Sequence, residues 1–202
     1  MTKSMFIVFE GGEKVGKTTQ IALLETYLLE RGHTVVKTKE PGGGDPHIRE
    51  KLLNMRSQLT PEEELTLFCE DRALHIQNII KPALEKNQII LCDRFEPSTI
   101  AYQGYARGID ITLIKKKSEI ARQSIWPDVI ILLDADPKKV LPREEATSRF
   151  DAEKLEFHEQ VREGFLAQAR ENPAEWHIID ATQSIEHVHE GVKRHINTIL
   201  ET

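Results

Sequence analysis

The 202-residue chain is poor in cysteine and has no surplus of basic residues. Its two cysteines, Cys69 and Cys92, lie far apart and form no C-x-x-C pair, so the sequence offers no cysteine metal site. We expect both to be free thiols in a reducing compartment. Lysine and arginine total 27 against 33 acidic residues, a net charge of −6 that argues against a nucleic-acid-binding protein. A small anionic substrate stays compatible with this charge, because a phosphate site is local.

The chain also lacks long apolar runs, internal repeats, low-complexity tracts and glycine–serine linkers. The apolar run over residues 5–9 is too short for the core of a signal sequence. No stretch approaches the roughly 20 apolar residues of a membrane-spanning helix. We therefore expect one domain over residues 1–202, with no membrane contact and a cytoplasmic location.

Short β-branched runs alternate with helical patterns along the chain. The runs predict strands over residues 5–9, 34–38, 88–93, 128–134 and 176–180. Helices are predicted over residues 17–31, 47–55, 61–86, 110–124, 153–170 and 185–200. Pro82 is expected to kink or split the long third helix. Such an alternation predicts a parallel sheet with helices on both faces, which binds ligands beyond the carboxyl ends of its strands.

A loop of the phosphate-binding type follows the first predicted strand and opens the first predicted helix. It matches G-x-x-x-x-G-K-S/T and is followed by a further threonine, with the residues Gly11, Gly12, Glu13, Lys14, Val15, Gly16, Lys17, Thr18 and Thr19. In such a loop, backbone N–H groups and the helix N-terminus cradle the phosphates of ATP. Lys17 would reach the β- and γ-phosphates, and the Thr18 hydroxyl would bind Mg²⁺. A chance glycine-rich turn is the alternative, but the strand–loop–helix context favours a nucleotide site.

Asp93 ends the apolar strand over residues 88–93, where a P-loop protein places the acid that holds Mg²⁺. Capping of a following helix is the alternative role for this carboxylate. Beside a phosphate loop we favour metal binding, so the sequence predicts Thr18 and Asp93 as the two Mg²⁺ residues.

Three classes of P-loop protein compete for this sequence. A regulatory GTPase carries D-x-x-G and N-K-x-D motifs and a transport ATPase carries L-S-G-G-Q, and the chain contains none of these. A small-molecule kinase needs only the loop, an acceptor pocket and a basic lid, and arginines suit it because their planar fork binds two phosphate oxygens. Arginines after predicted turns or near the loop are Arg49, Arg72, Arg94, Arg107, Arg143 and Arg149. For any one of them a solvated surface position is the usual alternative, but their joint placement favours a kinase.

Four further segments make the chain similar to the thymidylate kinase family. They are F-E-G at residues 9–11, K-E-P-G-G at 39–43, D-R-F at 93–95 and A-Y-Q-G at 101–104. The similarity extends from about residue 5 to about residue 182. It implies a three-layer α/β P-loop kinase fold, with a five-stranded parallel sheet flanked by helices and a short mobile lid over residues 141–151. It also implies transfer of the γ-phosphoryl group of ATP to dTMP, giving ADP and dTDP, with Mg²⁺ as cofactor and a homodimer as the assembly.

The resemblance implies roles for individual residues. The acceptor would bind to Arg49, Phe68, Arg72, Arg94, Thr99, Tyr102 and Gln103. Phosphoryl transfer would involve Glu13, Lys14, Lys17, Glu40, Arg94, Arg143 and Arg149. Phe68 and Arg72 are about one helical turn apart and face the same way, which suits contacts with a thymine ring and its carbonyl. Plain core packing is the alternative for Phe68.

Two departures from the family bear on the transfer step. Lys14 stands where many bacterial members have glycine, and the lid is short, with only Arg143 and Arg149 as basic residues. We hypothesise that Lys14 supplies at the γ-phosphate the charge that a longer lid would bring. Pro97 replaces the usual aspartate after the D-R motif. Another nucleoside monophosphate kinase, for dUMP or dGMP, and a non-enzymatic nucleotide-binding protein stay open as alternatives.

Overall fold

A five-stranded parallel sheet forms the centre of the computed structural model, which describes residues 4–141 and 148–200. The strands are β1 (Met5–Glu10), β2 (Val35–Lys39), β3 (Ile89–Asp93), β4 (Val129–Asp134) and β5 (Trp176–Asp180). Their order across the sheet is β2-β3-β1-β4-β5, and every pair of neighbours is parallel. All carboxyl ends therefore lie at one edge, and the predicted α/β class with five parallel strands is confirmed.

Helices cover both faces of this sheet. In the described residues they are α1 (Lys17–Leu29), α2 (Pro46–Leu53), α3 (Pro61–His75), α4 (Lys81–Glu85), α5 (Glu96–Thr99), α6 (Ile111–Arg122), α7 (Pro137–Val140), α8 (Leu155–Glu171) and α9 (Ile185–Leu200). A π-helical segment, Ile76–Ile80, joins α3 to α4, and a second one, Ile100–Ala106, continues α5. The helix predicted over residues 61–86 is thus split just before Pro82, as expected for a residue without an N–H group. No helix in this part of the chain is long and apolar enough to cross a membrane.

The side chains of β1 alternate between two apolar cores, one on each face of the sheet. The odd-numbered residues of β1 pack with α1 and α9. Phe6 and Val8 pack with the π-helical segment after α3, and α8 extends this second layer over Ile130 and Leu132 of β4. Burial on both faces explains why β1 begins as a continuous apolar run, and it makes the sheet the middle of three layers.

Two helical stretches in the described residues were not predicted from the sequence: the short α7, and α5 together with the π-helical segment after it, residues 96–106. The longer stretch bears on the site. It packs against α8, where Gly164 permits a close approach. A Cβ atom at Gly164 would lie 2.9 Å from the Cα atom of Ala101, which is too close for any side chain. This stretch carries Thr99, Tyr102 and Gln103, so its packing on α8 sets the position of three predicted acceptor residues.

Candidate active site

A cleft of about 740 Å³ lies at the carboxyl edge of the sheet. Residues 13–19 of the phosphate loop line one side, and Glu40 and Asp93 line it as well. The predicted acceptor residues also line it, namely Arg49, Phe68, Arg72, Arg94, Thr99, Tyr102 and Gln103. The structure thus brings most of the predicted site residues together in one cleft. Those outside its lining are Gly11, Gly12 and Arg149, and Arg143 lies outside the described residues.

The phosphate loop connects β1 to α1 through several left-handed backbone angles. Gly11 (φ 140°) and Gly16 (φ 90°) adopt conformations that favour glycine. A Cβ atom at Gly11 would collide with the carbonyl oxygen of Leu133 in β4, so the loop can pass β4 only with glycine there. Lys14 also has a positive φ, 60°, which is uncommon for a residue with a side chain.

Lys17, the first residue of α1, folds back over this loop. Its ammonium group donates hydrogen bonds to the carbonyl oxygens of Gly11 (3.1 Å) and Gly12 (2.7 Å). Burial lowers the pKa of Lys17, and the nearby Arg94 guanidinium lowers it further. An anion beside this ammonium would oppose both effects, so the loop is electrostatically suited to a phosphate ligand.

Arg94 connects the phosphate loop to α5, the start of the helical stretch that carries the predicted acceptor residues Thr99, Tyr102 and Gln103. Its guanidinium donates hydrogen bonds to the carbonyl oxygen of Gly11 (2.9 Å), the Ser98 hydroxyl (3.1 Å) and the Glu13 carboxylate (2.9 Å). The same Glu13 oxygen accepts a hydrogen bond from the Tyr102 hydroxyl at 2.6 Å. Burial acts to raise the pKa of Glu13, but the Arg94 guanidinium, the Lys17 ammonium and the Tyr102 hydroxyl together outweigh it, and the pKa falls to about 2. Glu13 is therefore an anion that orients Arg94 and Tyr102.

Glu10, the last residue of β1, is a fully buried carboxyl group that anchors the start of α5. It accepts hydrogen bonds from the Phe95 backbone N–H (2.8 Å) and from the Ser98 N–H (3.3 Å) and hydroxyl (2.6 Å). Burial raises the pKa of Glu10 to about 7, although the Arg94 guanidinium acts to lower it. Glu10 was not among the predicted site residues, although a lone carboxylate at the end of an apolar strand is a signal for such a role.

Replacing Glu10 with glutamine is expected to remove a pH dependence of stability. The folded-state pKa of about 7 lies above the ordinary value of 4.5, so between these values the native state holds a proton that the unfolded chain has released. The wild-type protein therefore loses about 2 to 3 kcal/mol of stability through Glu10 as the pH rises from about 5 to about 8. Urea unfolding of wild type and Glu10→Gln at both pH values measures this loss.

The control for this experiment is Glu30→Gln, which removes an exposed carboxyl group. The free energy of unfolding of Glu10→Gln, measured relative to that of wild type, should increase from about pH 5 to about pH 8. The same difference for Glu30→Gln should not change. An equal free-energy difference between wild type and Glu10→Gln at both pH values would contradict the prediction.

Glu40, Arg72 and His75 form a buried ionic cluster at the cleft. The Arg72 guanidinium contacts one Glu40 oxygen through Nε (2.9 Å) and Nη2 (2.8 Å). His75 Nδ1 contacts the other Glu40 oxygen (2.9 Å), and its Nε2 contacts the Thr38 hydroxyl (2.8 Å). Arg72 also donates to the Thr99 hydroxyl at 2.9 Å. Glu40 thus fixes the direction of Arg72, while its predicted part in phosphoryl transfer stays a prediction.

Asp71 of α3 holds the glycine-rich loop that follows Glu40. Its carboxylate accepts hydrogen bonds from the backbone N–H groups of Gly42 (2.7 Å) and Asp45 (2.9 Å). Arg49 of α2 donates to a carbonyl oxygen of the same loop, that of Pro41, and burial lowers the pKa of Arg49. The loop therefore helps to keep Arg49 at the cleft. Asp71 was not predicted, because its backbone partners lie about 30 residues away in sequence.

Aromatic rings form one wall of the cleft. The ring centroid of Phe150 lies 6.2 Å from that of Phe68 and 5.7 Å from that of Tyr102. Phe68 is only partly buried and lines the cleft, so core packing accounts for only part of its surface. Phe150, inside the proposed lid, was not among the predicted site residues.

Gln103 and Arg149 both contact Glu64, a buried residue in the first turn of α3. Gln103 Nε2 donates to Glu64 Oε2 at 3.0 Å. The Arg149 guanidinium donates to Glu64 Oε1, and Arg107 lies 3.4 Å from that oxygen. Arg149 therefore lies near Gln103, a predicted acceptor residue. Its predicted contact with the transferred phosphoryl group stays a prediction.

Thr18 and Asp93, the predicted Mg²⁺ residues, both line the cleft. One buried oxygen of Asp93, Oδ1, has no hydrogen-bond partner among the residues that the structure describes. A carboxylate oxygen left open beside a phosphate loop suits Mg²⁺ or a water bound to it. The residues present therefore fit a magnesium ion.

Comparisons with known proteins lead to one family. The family model for thymidylate kinase matches residues 9–192. The chain is 43% identical over 203 residues to a thymidylate kinase of Gloeobacter violaceus, a match that covers 97% of this chain and 96% of that protein. It is 45% identical over 202 residues to a thymidylate kinase of Maridesulfovibrio salexigens, with 94% and 93% covered.

A solved structure supports the same assignment. The crystal structure of thymidylate kinase from Ehrlichia chaffeensis matches with a TM-score of 0.81 and 36% sequence identity, over 96% of this chain and 99% of that one. The parallel sheet and the phosphate loop described above agree with this match. On these grounds the chain belongs to the thymidylate kinase family.

Proposed function

We propose that this protein transfers the γ-phosphoryl group of ATP to dTMP and releases ADP and dTDP. One observation carries the proposal: a single cleft has a phosphate loop on one side and acceptor residues on the other, and Arg94 spans the two. A protein that only binds nucleotides would need the loop alone. Membership of the thymidylate kinase family supports dTMP as the acceptor.

The phosphate loop would bind ATP through its backbone N–H groups and the start of α1. Lys17 would exchange its contacts with loop carbonyls for contacts with the β- and γ-phosphates. Thr18 and Asp93 would hold Mg²⁺, which when bound neutralises charge on the phosphates. The loop and Lys17 thus position the donor and balance its charge.

The acceptor phosphate would lie between Arg94 and Arg49, opposite the loop. It is already an anion at neutral pH, so the transfer needs no strong general base. Glu13, which binds Arg94 at 2.9 Å and Tyr102 at 2.6 Å, would act by holding these two groups in place. Phosphoryl transfer depends mainly on such positioning and on charge stabilisation.

The base of dTMP would lie against Phe68, with a carbonyl group facing Arg72. The Arg72 guanidinium has five N–H groups, and among the described residues four contacts join it to the side chains of Glu40, Thr99 and Ser118. Within that part of the chain, a second N–H group on Nη1 stays available to donate to the base. Tyr102 would lie beside the sugar and disfavour a 2′-hydroxyl group.

Acceptor-dependent release of ADP from MgATP tests this function. The acceptors are dTMP, dUMP, dGMP, UMP and thymidine. We expect strong turnover with dTMP and little with UMP, which carries the 2′-hydroxyl, or with thymidine, which lacks the phosphate for Arg49 and Arg94. Turnover with a different monophosphate alone would keep a kinase and reject the thymine pocket. Absence of acceptor-stimulated turnover would reject the kinase.

We propose that Lys14 supplies charge at the γ-phosphate in place of a longer lid. Lys14 lines the cleft within the phosphate loop. Lys14→Met keeps a long side chain without the charge, and we expect it to lower kcat about tenfold with little change in KM for dTMP. Steady-state kinetics should show no such effect for Lys86→Met, at an exposed lysine. A kcat within about threefold of wild type for Lys14→Met would reject the proposal.

We also propose a cytoplasmic homodimer that forms through α3 and α6. These helices pack together, and they expose the apolar side chains of Leu74 (36%), Leu113 (42%) and Ile120 (74%). Light scattering should give twice the chain mass of 23.1 kDa, and a mass of one chain would reject the dimer. The two free cysteines suit a reducing cytoplasm.

A further inference from the structure

The Gln103 amide has an orientation that a neighbouring carboxylate determines. Gln103 is fully buried, and its Nε2 donates a hydrogen bond to Glu64 Oε2 at 3.0 Å. An ionised carboxylate can only accept, so the NH₂ group must face Glu64 and the carbonyl oxygen must face away from it. That oxygen, Oε1, is buried and has no hydrogen-bond partner among the described residues, and Gln103 lines the cleft.

Two arginines favour the acceptor-only form of Glu64. Arg149 donates to Glu64 Oε1, and Arg107 lies 3.4 Å from the same atom. Arg107 is in turn held by Glu153 at 2.6 Å. Guanidinium groups at one oxygen stabilise the charged carboxylate, and they leave its second oxygen for Gln103.

Glu64 lies on the helix face that carries the proposed base contacts. Glu64, Phe68 and Arg72 follow one another at intervals of four residues along α3, so their side chains lie on one side of the helix. Arg72 offers a donor to the cleft, and Gln103, held by Glu64, offers an acceptor. This pair matches the adjacent C=O and N–H groups of thymine. Cytosine presents the reverse, an amino group beside a ring nitrogen that accepts.

We infer that Glu64 is a positioning residue that selects thymine against cytosine by fixing the polarity of the Gln103 amide. The inference rests on the proposed function and adds to it a residue that does not touch the base. With cytosine, Gln103 Oε1 would face a ring-nitrogen lone pair, and two buried acceptors would share no hydrogen. An amide with the opposite orientation would instead offer its NH₂ group to that nitrogen, and the part of the discrimination that Gln103 provides would be lost.

The test compares dTMP with dCMP as acceptors for wild type, Glu64→Gln and Glu70→Gln. In Glu64→Gln, Arg149 and Arg107 would hold the amide oxygen, so its NH₂ group would face Gln103 and favour the opposite orientation of the Gln103 amide. We expect the ratio of kcat/KM for dTMP to that for dCMP to fall by about tenfold or more in Glu64→Gln, while KM for ATP stays unchanged. Glu70→Gln, at an exposed position of α3, should keep the wild-type ratio.

A double variant keeps the inference testable if Glu64→Gln does not fold. Glu64→Gln combined with Gln103→Glu exchanges the two groups, preserves the net charge of the cluster and again presents an acceptor oxygen to the base. We expect its ratio of kcat/KM for dTMP to kcat/KM for dCMP to lie within about threefold of the wild-type ratio. A lost ratio in the double variant would overturn the inference.

Two results with folded Glu64→Gln would also overturn it: an unchanged ratio, or equal losses with both nucleotides, which is what a merely structural role predicts. Failure of the wild-type protein to phosphorylate dTMP would overturn the proposed function and this inference together. That outcome is distinguishable, because it is seen before any variant is made.

Discussion

Replacing Arg94 with alanine is expected to lower kcat/KM for dTMP by about a hundredfold to a thousandfold. The guanidinium binds a phosphate-loop carbonyl, the Ser98 hydroxyl and the Glu13 carboxylate, so it joins the donor side of the cleft to the acceptor side. Burial alone would lower the pKa of Arg94, but the surrounding acidic groups, Glu13 first among them, together raise it above its ordinary value. A permanent positive charge thus lies where the phosphoryl group would cross. Steady-state kinetics with dTMP as the varied substrate measures the loss.

Two further variants separate the possible causes. Arg94→Lys keeps the charge but not the planar fork, and we expect it to recover only about tenfold of the loss. Arg162→Ala removes a guanidinium that holds Asp134 at 2.7 Å outside the main cleft, and it should stay within about twofold of wild type. Arg94 has a φ of 72°, a strained angle that glycine would relax. Alanine is therefore preferred to glycine, because it removes the guanidinium without also relaxing the backbone. If folded Arg94→Ala kept more than about a tenth of wild-type kcat/KM, Arg94 would not be the bridge.

Glu40→Ala is expected to destabilise the protein by about 3 to 5 kcal/mol. Glu40 and Arg72 are almost completely buried, and removal of the carboxylate would leave the Arg72 guanidinium in the interior without its counter-charge. His75 would lose its Nδ1 partner as well. The shift of the urea midpoint at constant m-value measures the change in the free energy of unfolding.

A surface ion pair provides the matched control for Glu40. Glu25→Ala breaks an exposed pair with Lys37 at 2.6 Å, and it should change stability by less than about 1 kcal/mol. Glu40→Gln combined with Arg72→Met removes both buried charges and should be less destabilising than Glu40→Ala. A loss of under about 1 kcal/mol for Glu40→Ala would mean that the buried pair contributes little to the fold.

The phosphate loop and the sheet could be predicted because their signals are local. Lys17 and Thr18 stand at fixed spacing from the loop glycines, and each strand contains a short run of β-branched or other apolar residues that needs no knowledge of its neighbours. The split at Pro82 also follows from one residue without an N–H group. These features required only short windows of sequence.

The contacts that position the acceptor side could not be predicted in this way. Glu10 and Ser98 are 88 residues apart, and Arg149 and Glu64 are 85 residues apart, so only the folded chain reveals either pair. The helix over residues 96–106 escaped prediction because Pro97 and Gly104 are typical of loops. In the structure Pro97 occupies the first turn of α5, where a missing N–H group does no harm.

Transfer of a radiolabelled γ-phosphoryl group tests the proposed reaction most directly. The wild-type protein is incubated with labelled ATP, Mg²⁺ and dTMP, and the nucleotides are separated by chromatography. We expect the label in dTDP, in an amount equal to the ADP formed and only when dTMP is present. Label released as inorganic phosphate, with none in dTDP, would contradict direct transfer between two nucleotides in one cleft.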